Sequence, residues 1–383
     1  MTSIARPQRV LLVSHYYPPH LGGVENVVRQ EALHLAAAGA EVTVLTSGER
    51  SSRTVEDGVR VVRVAAWNGL ERAGVPFPVL SPAVLPAALR EARRADVVHV
   101  HDCLYLTSWT AGLAAALTRT PHLLTQHVGL VEHPSAPVRA VQRAVYATVG
   151  RALLRRARAV FTLNADVAAF VRRYGARPER ARHLPNGVDA ELFRPAASER
   201  ERQEVRARYG LPAGRPLVLF AGRLVPKKGY DLLLEAHDPA DGWDLVLAGD
   251  GAPVPDRPGV HRLGALPAEE LAGVYRACDV FALPSTAEGF PLTVQEAMAS
   301  GLPVVTTDDP GYAPYRLDRA LVELVPRRPD ALRAVLTALA GDADRRAAMA
   351  DYSRRHATEQ FAWEEHVRVL SGHYRGAADA GTT

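Results

Sequence analysis

Lysine is nearly missing from this 383-residue chain: of 46 basic residues only Lys227 and Lys228 are lysine, and they are adjacent. In a sequence that otherwise uses arginine, such a pair marks either a place where a compact ammonium is wanted or a coincidence. Cysteine is equally scarce. Cys103 and Cys278 are too few for a disulfide framework or a structural zinc site, which points to a reducing compartment. A large charge excess is absent too, since 46 basic against 42 acidic residues leave a net +4 with no basic tail or block. That excludes a dedicated nucleic-acid binder, which concentrates its charge. Long apolar runs are missing: residues 10–13 fall short of a signal-peptide core. The longest weakly polar stretch, 104–117, is about four residues too short to span a bilayer and carries Thr107, Ser108 and Thr110. The expectation is a cytoplasmic protein, with peripheral contact at the inner face of a membrane left open. What remains, 47% hydrophobic and 23% charged residues, is globular composition. Its length suits two to three domains at roughly 150 residues each.

Short Val/Leu-rich runs alternate with helical patterns along the chain, the mark of βαβ units and parallel sheets. The pattern predicts strands at 9–14, 41–46, 59–64, 96–100, 122–126 and 159–163, with helices at 24–38, 104–117, 137–156 and 165–174. After Pro185-Asn186-Gly187-Val188-Asp189 a charged stretch, 197–202, reads as a linker and surface helix, which puts a boundary near residue 195. Beyond it strands are predicted at 217–221, 245–248, 280–282, 304–306 and 321–324, and helices at 229–236, 267–277, 291–299 and 329–340. The helical patterns at 342–356 and 363–373 have no following strand, so they are expected to pack back across the boundary. The expected division is 1–195, 196–358 and a C-terminal helix in 359–383.

Open α/β sheets bind ligands beyond the carboxyl ends of their strands, so strand-to-helix junctions carry the chemistry. The run from His15 to Glu25 follows the first strand and contains Gly22-Gly23. Paired glycines admit a ligand to backbone amides at a helix start, or serve only as a packing turn. The third glycine of a dinucleotide fingerprint is lacking. The run Gly222-Arg223 to Lys228-Gly229 offers a guanidinium fork and point charges to a phosphate or diphosphate, although no Walker sequence is present. In the third junction, Pro291 suits a first helical position, with Glu288 in the loop before it and Glu296 on the second turn. Two carboxylates there suggest recognition of adjacent hydroxyls, or acid/base work on a sugar. Glu288 could equally be a helix-dipole contact worth under about 1 kcal/mol. The fourth junction holds His99, His101, Asp102 and His127. His99 and His101 share a strand face, yet zinc is not favoured, and His127 reads as a substrate-positioning or structural histidine. Asp342 and Asp344 follow no strand and read as helix capping rather than a metal site. No metal ligand is assigned.

Glu288-Gly289-Phe290-Pro291-Leu292-Thr293-Val294-Gln295-Glu296, with seven residues between the glutamates, resembles the signature of glycosyltransferase family 4, retaining transferases of the GT-B fold. Gly22-Gly23, Pro185 to Asp189, the Gly222 to Gly229 segment and Gly249-Asp250-Gly251 reinforce the resemblance in chain order. It implies an α/β protein of two doubly wound Rossmann-like domains whose parallel sheets face a central cleft, closing to keep water from the donor. The implied function is retaining transfer of a hexosyl or N-acetylhexosaminyl group from a nucleotide sugar, UDP-linked or GDP-linked with UDP favoured. The acceptor is a glycan, lipid-linked or small-molecule hydroxyl. No cofactor or metal is implied. Arg223 and Lys228 resemble the pair gripping the donor diphosphate, and Glu296 the glutamate on the ribose. Glu288 resembles the glutamate facing the transferred sugar, and His127 the histidine at the reaction centre. The amides of Phe290, Pro291 and Leu292, with Gly249 and Gly289, fall at the donor, while Gly22-Gly23 resembles a loop closing on acceptor and phosphate. A nucleotide-sugar epimerase and a noncatalytic nucleotide-sugar-binding protein stay open as alternatives.

Two segments bear on the acceptor. The stretch from Trp67 to Pro78 is rich in turn residues and reads as an acceptor-side loop or a lid. Residues 138–158 interleave Arg139, Arg143, Arg151, Arg155, Arg156 and Arg158 with an apolar stripe, which suits a core-facing helix or one lying on an anionic membrane.

Overall fold

A computed structural model describes residues 7–20, 22–69, 77–130, 133–286 and 289–379. The chain forms two compact units, Met1–Gly187 with Trp363–Thr383, and Val188–Ala362.

In the first unit, β1 (Arg9–Val13) leads to α1 (Gly23–Ala37) and β2 (Glu41–Gly48). A polar strand β3 (Ser52–Glu56) turns back into β4 (Val59–Trp67), and the two-residue β5 (Val79–Leu80) pairs with it. Then come α2 (Val84–Ala92), β6 (Val97–His101), α3 (Leu106–Thr118), β7 (His122–Gln126), α4 (Ala136–Val145), α5 (Arg151–Arg156), β8 (Val160–Thr162), α6 (Ala165–Arg173) and β9 (Ala181–His183). The sheet runs β3-β4-β2-β1-β6-β7-β8-β9, parallel except at β3 and β5. Its central strands are buried almost throughout because helices cover both faces. Strand order reverses between β1 and β6, the topological switch point where ligands gather.

The second unit holds α7 (Glu199–Arg208), β10 (Leu217–Ala221), α8 (Tyr230–Ala236), β11 (Asp244–Ala248), β12 (Val260–Gly264), α9 (Ala268–Ala277), β13 (Val280–Leu283), α10 (Leu292–Ala299), β14 (Val304–Thr307), β15 (Glu323–Val325), α11 (Pro329–Gly341) and α12 (Ala343–Gln360). The sheet is parallel throughout, in the order β12-β11-β10-β13-β14-β15, and switches direction between β10 and β13. Asp342 caps α12 by accepting from the Arg345 amide at 2.9 Å.

The units divide at 187/188 rather than near 195, for a reason visible in the bonding. The Val188 amide donates to the Phe361 carbonyl at 2.7 Å, Phe193 is buried in the second core, and Arg354 donates to the carbonyls of Ala190 and Phe193. The segment before the charged stretch is therefore part of the second unit. The last helix, α13 (Trp363–Asp379), belongs to the first unit, where Leu370 and Tyr374 are fully buried beside Val28 and Leu35. The helix expected over 137–156 is interrupted by a π-helical turn, Tyr146–Gly150. It buries the Tyr146 ring, which packs edge-on to Phe170.

Candidate functional site

Three loops at the carboxyl end of the second sheet are bonded into one structure. After β10, the Gly222 amide donates to the Ala248 carbonyl at 2.9 Å and the Leu224 amide to the Asp250 carbonyl at 2.8 Å, so the β10 and β11 loops run side by side. Gly249 has φ +140, and a Cβ there would stand 2.0 Å from the Gly222 carbonyl oxygen. Only glycine fits. The turn Pro226–Lys228 ends on Gly229 at φ +78, whose Cβ position lies 2.3 Å from the Pro284 carbonyl oxygen. The Thr286 amide donates to the Lys227 carbonyl at 2.9 Å, and Arg327 clamps the carbonyls of Pro284 and Pro226 at 2.7 and 3.1 Å. Arg223 is exposed and Lys228 half-exposed on this assembly.

Pro291 sits just before α10 as its N-cap rather than as its first residue, and proline has no amide hydrogen. The anion-binding capacity expected of Phe290 to Leu292 therefore rests on the amides of Phe290 and Leu292. The Phe290 ring is buried, stacked on Tyr315 at 3.9 Å between centroids, and so braces the loop. Gly289 is half-buried beside it. Glu288 lies outside the described residues, as do residues 70–76 of the expected acceptor-side loop. Glu296 accepts a hydrogen bond from the Tyr275 hydroxyl at 3.0 Å, and burial pushes its carboxyl up to about 7.

In the first unit, Gly22 precedes α1 in an extended conformation and Gly23 opens the helix with open space where a Cβ would stand. Glu25 fills the space beside Gly22 and approaches His20 at 3.1 Å. At the next strand ends, Asp102 has φ +58 and its carboxylate accepts from the His127 amide at 2.9 Å and from Gln126 Nε2 at 2.8 Å. Burial raises that carboxyl to about 6 against the hydrogen bonds it accepts. His127 is buried, and burial holds its imidazole well below the usual histidine range, hence neutral.

One residue the sequence reading passed over belongs to this cluster. Glu31 lies on the apolar stripe of α1 with Val27, Val28, Ala32 and Leu35, facing His99 and His101 on β6. The signal was there: a carboxylate at a core-facing helical position, and two histidines two apart on one strand face. Ligand atoms of Glu31, His99 and His101 lie within 4.8 Å of one another. His99 nevertheless engages both ring nitrogens in hydrogen bonds, Nδ1 with the Tyr374 hydroxyl at 2.6 Å and Nε2 with Thr125 Oγ1 at 2.8 Å. The cluster is hydrogen-bonded within itself.

This fold is GT-B, the two-domain architecture of glycosyltransferases. It matches sucrose-phosphate synthase from Thermosynechococcus elongatus with a TM-score of 0.74 at 24% identity, covering 97% of this chain and 100% of that one. It matches Anabaena HepE, solved in complex with UDP, at 0.73 and 18% identity, covering 95% and 98%. The profile described as Glycosyltransferase Family 4 matches residues 21–192, and that described as Glycosyl transferases group 1 matches 201–356. The D-inositol 3-phosphate glycosyltransferase of Xylanimonas cellulosilytica is 34% identical over 93% of this chain and 92% of its own. That of Mycobacterium tuberculosis is 31% identical over 97% and 84%. The chain belongs to glycosyltransferase family 4. It is an enzyme, a glycosyltransferase.

Proposed function

We propose that the enzyme transfers a hexosyl or N-acetylhexosaminyl group, with retention, from a UDP-sugar or, second, a GDP-sugar to an acceptor hydroxyl. The stitched loops after β10, β11 and β13 carry this reading, because they present Arg223, Lys228 and the α10 amides from a rigid frame. Departure of a nucleoside diphosphate builds charge on its β-phosphate, which fixed cations and amides stabilise without a metal. Glu296 holds the ribose hydroxyls, Glu288 with Gly289 and Gly249 lines the sugar and phosphate, and His127 stands at the reaction centre. Gly22-Gly23 closes on acceptor and phosphate. Retention proceeds by same-face attack of the acceptor hydroxyl, with no enzyme nucleophile assigned. UDP is favoured because HepE was solved with UDP-glucose. A phosphorylated cyclitol is the first small acceptor to offer, given the name of the 34% identical relative. The test is turnover across a panel of UDP-, GDP- and ADP-sugars with excess EDTA, reading the product anomer by NMR. UDP-sugar turnover that survives chelation with an axial product supports the reading when the donor is axial. An inverted anomer, or loss on chelation restored by magnesium, refutes the corresponding part.

Glu296 makes donor binding depend on pH. A carboxylate accepts both ribose hydroxyls whereas a carboxylic acid does not, so the bound form is ionised and binding releases a proton from a group titrating at about 7. Affinity for UDP should fall about tenfold per pH unit below 7, and calorimetry in buffers of different ionisation enthalpy should detect the proton at pH 6. Glu296→Gln should remove the share of both effects that the carboxyl contributes and leave the share from the terminal phosphate of UDP. A flat affinity between pH 5.5 and 7.5 in the unsubstituted enzyme contradicts the ribose role.

A lipid acceptor is the second reading, and α4 favours it. Among its residues only Gln142 is buried and Val141 is 62% exposed, Val149 in the π-helical turn that follows is 37% exposed, and Ala136 to Arg156 carries five arginines and no acid. Leu153 and Leu154 anchor α5 in the core. No helix among the described residues is long and apolar enough to cross a membrane. Contact would be peripheral. Salt-sensitive co-sedimentation with anionic vesicles, lost in Val141→Glu, is expected; equal recovery with neutral and anionic vesicles argues against it.

A further inference from the structure

The buried cluster around Glu31 ends at His127, and its hydrogen bonds decide which nitrogen of that ring carries the proton. The Glu31 carboxylate receives groups from two elements, α13 and β6. Tyr374 of α13 donates to Oε1 at 3.5 Å, with His99 Nδ1 3.1 Å from the same oxygen. His366 of α13 approaches Oε2 through Nε2 at 3.4 Å while its Nδ1 faces the Pro185 carbonyl at 2.8 Å. Burial alone would push the Glu31 carboxyl up, but the surrounding histidines hold it well below the usual carboxylate range, so it is a negative acceptor. His101 Nε2 lies 3.6 Å from Glu31 Oε1, and among the described residues that nitrogen makes no hydrogen bond. A proton on His101 Nε2 points at a carboxylate; a lone pair there would be repelled by it.

The consequence passes along the chain. His101 Nδ1 is 3.0 Å from His127 Nε2, and a hydrogen bond there needs one nitrogen to donate and the other to accept. With its proton on Nε2, His101 offers a bare Nδ1, so His127 must hold its proton on Nε2 and leave Nδ1 bare. The His127 backbone is fixed independently by the amide bond to Asp102 at 2.9 Å.

We infer that Glu31 and His101 are positioning residues which set the His127 tautomer, so that its Nδ1 meets a sugar or acceptor hydroxyl only as a hydrogen-bond acceptor. This rests on the reading that His127 stands at the reaction centre. As the acceptor oxygen bonds to the sugar carbon the carbon–diphosphate bond breaks, and the hydroxyl proton passes through its hydrogen bond to the bare nitrogen and on to the released diphosphate, whereas a ring presenting N–H opposes that step.

The wild-type enzyme labelled with 15N-histidine gives the direct test through long-range proton–nitrogen correlation, with the His127 signals assigned from their loss in His127→Phe. The expected result is a protonated Nε2 and a bare Nδ1; a protonated Nδ1 overturns the inference whatever the variants do. His101→Asn keeps an amide oxygen where ring Nδ1 stood, and His101→Phe removes the acceptor while filling the space. We expect His101→Phe to lower kcat roughly ten- to a hundredfold, with KM for the donor within about twofold and the His127 proton moved to Nδ1. His101→Asn should retain kcat within about threefold and the wild-type tautomer. An unmoved proton in His101→Phe, with the variant folded by its melting profile, also overturns the inference. If His127→Phe turns over at the wild-type rate while the wild-type tautomer is as expected, the site reading fails and the hydrogen-bond order stands.

Discussion

Lys228→Ala is expected to weaken UDP binding roughly tenfold to a hundredfold and to lower turnover further, with Arg223→Ala behaving alike. In the proposed role each substitution deletes a charge-assisted contact worth roughly 1.5 to 3 kcal/mol, which gives that range of affinity. The extra loss in kcat arises because the β-phosphate carries more charge in the transition state than in the bound donor, and only interactions that strengthen there accelerate the reaction. Losing one such donor costs roughly a hundredfold in turnover, about 2.7 kcal/mol. Folding should survive, since both side chains lie outside the core. Lys228→Arg is not expected to rescue fully, because a planar fork replaces a point charge on a turn held by Gly229 and Pro284. Calorimetric UDP titration of both variants checks the assignment. Unchanged affinity in both removes the phosphate role.

Gly249→Ala should be the most damaging single methyl in the molecule's second unit. Its Cβ would stand 2.0 Å from the Gly222 carbonyl oxygen and 2.8 Å from the carbonyl carbon, at a φ of +140 that L side chains rarely adopt. The obstacle is backbone, so no rotamer change relieves it. Strain and overpacking together should destabilise the unit by about 3 kcal/mol or more, lowering its Tm by about 6–12 °C. Because Gly222 leads directly into Arg223, the displaced loop should also lose UDP binding at temperatures where the protein stays folded. Gly341→Ala is the control, with nothing within 4 Å of its Cβ position and no positive φ, and should leave both properties intact. A Gly249→Ala protein with wild-type Tm and UDP affinity would contradict the geometry.

Much of the architecture was legible because parallel strands buried on both faces are short, uncharged runs with an apolar centre. Leu217–Ala221 and His122–Gln126 were read at their observed bounds for that reason. Elements with weak burial were not. The strand Ser52–Glu56 is exposed at four of its five positions, and β12 reads Val-His-Arg-Leu-Gly, with only Val260 and Leu263 packing on the core, so both lean on a neighbour's backbone. The short helix Val84–Ala92 was likewise unassigned, its inward face being mostly alanine. The expected strand 321–324 lies at Glu323–Val325, an edge strand whose ends carry little periodic signal.

The sequence by itself determined that two Rossmann-like halves would present glycine junctions, a lone lysine pair and a two-glutamate helix start at strand ends, because those features are local and their spacing is their meaning. Tertiary structure alone decided which residues outside those junctions matter. Glu31 on α1 faces His99 and His101 in the fold but is far from them in the chain, and Tyr374 and His366 reach it only because α13 packs within the first unit. A carboxylate on an apolar stripe is costly until its partners are known. Those partners come from strand register and helix docking, which no local period encodes.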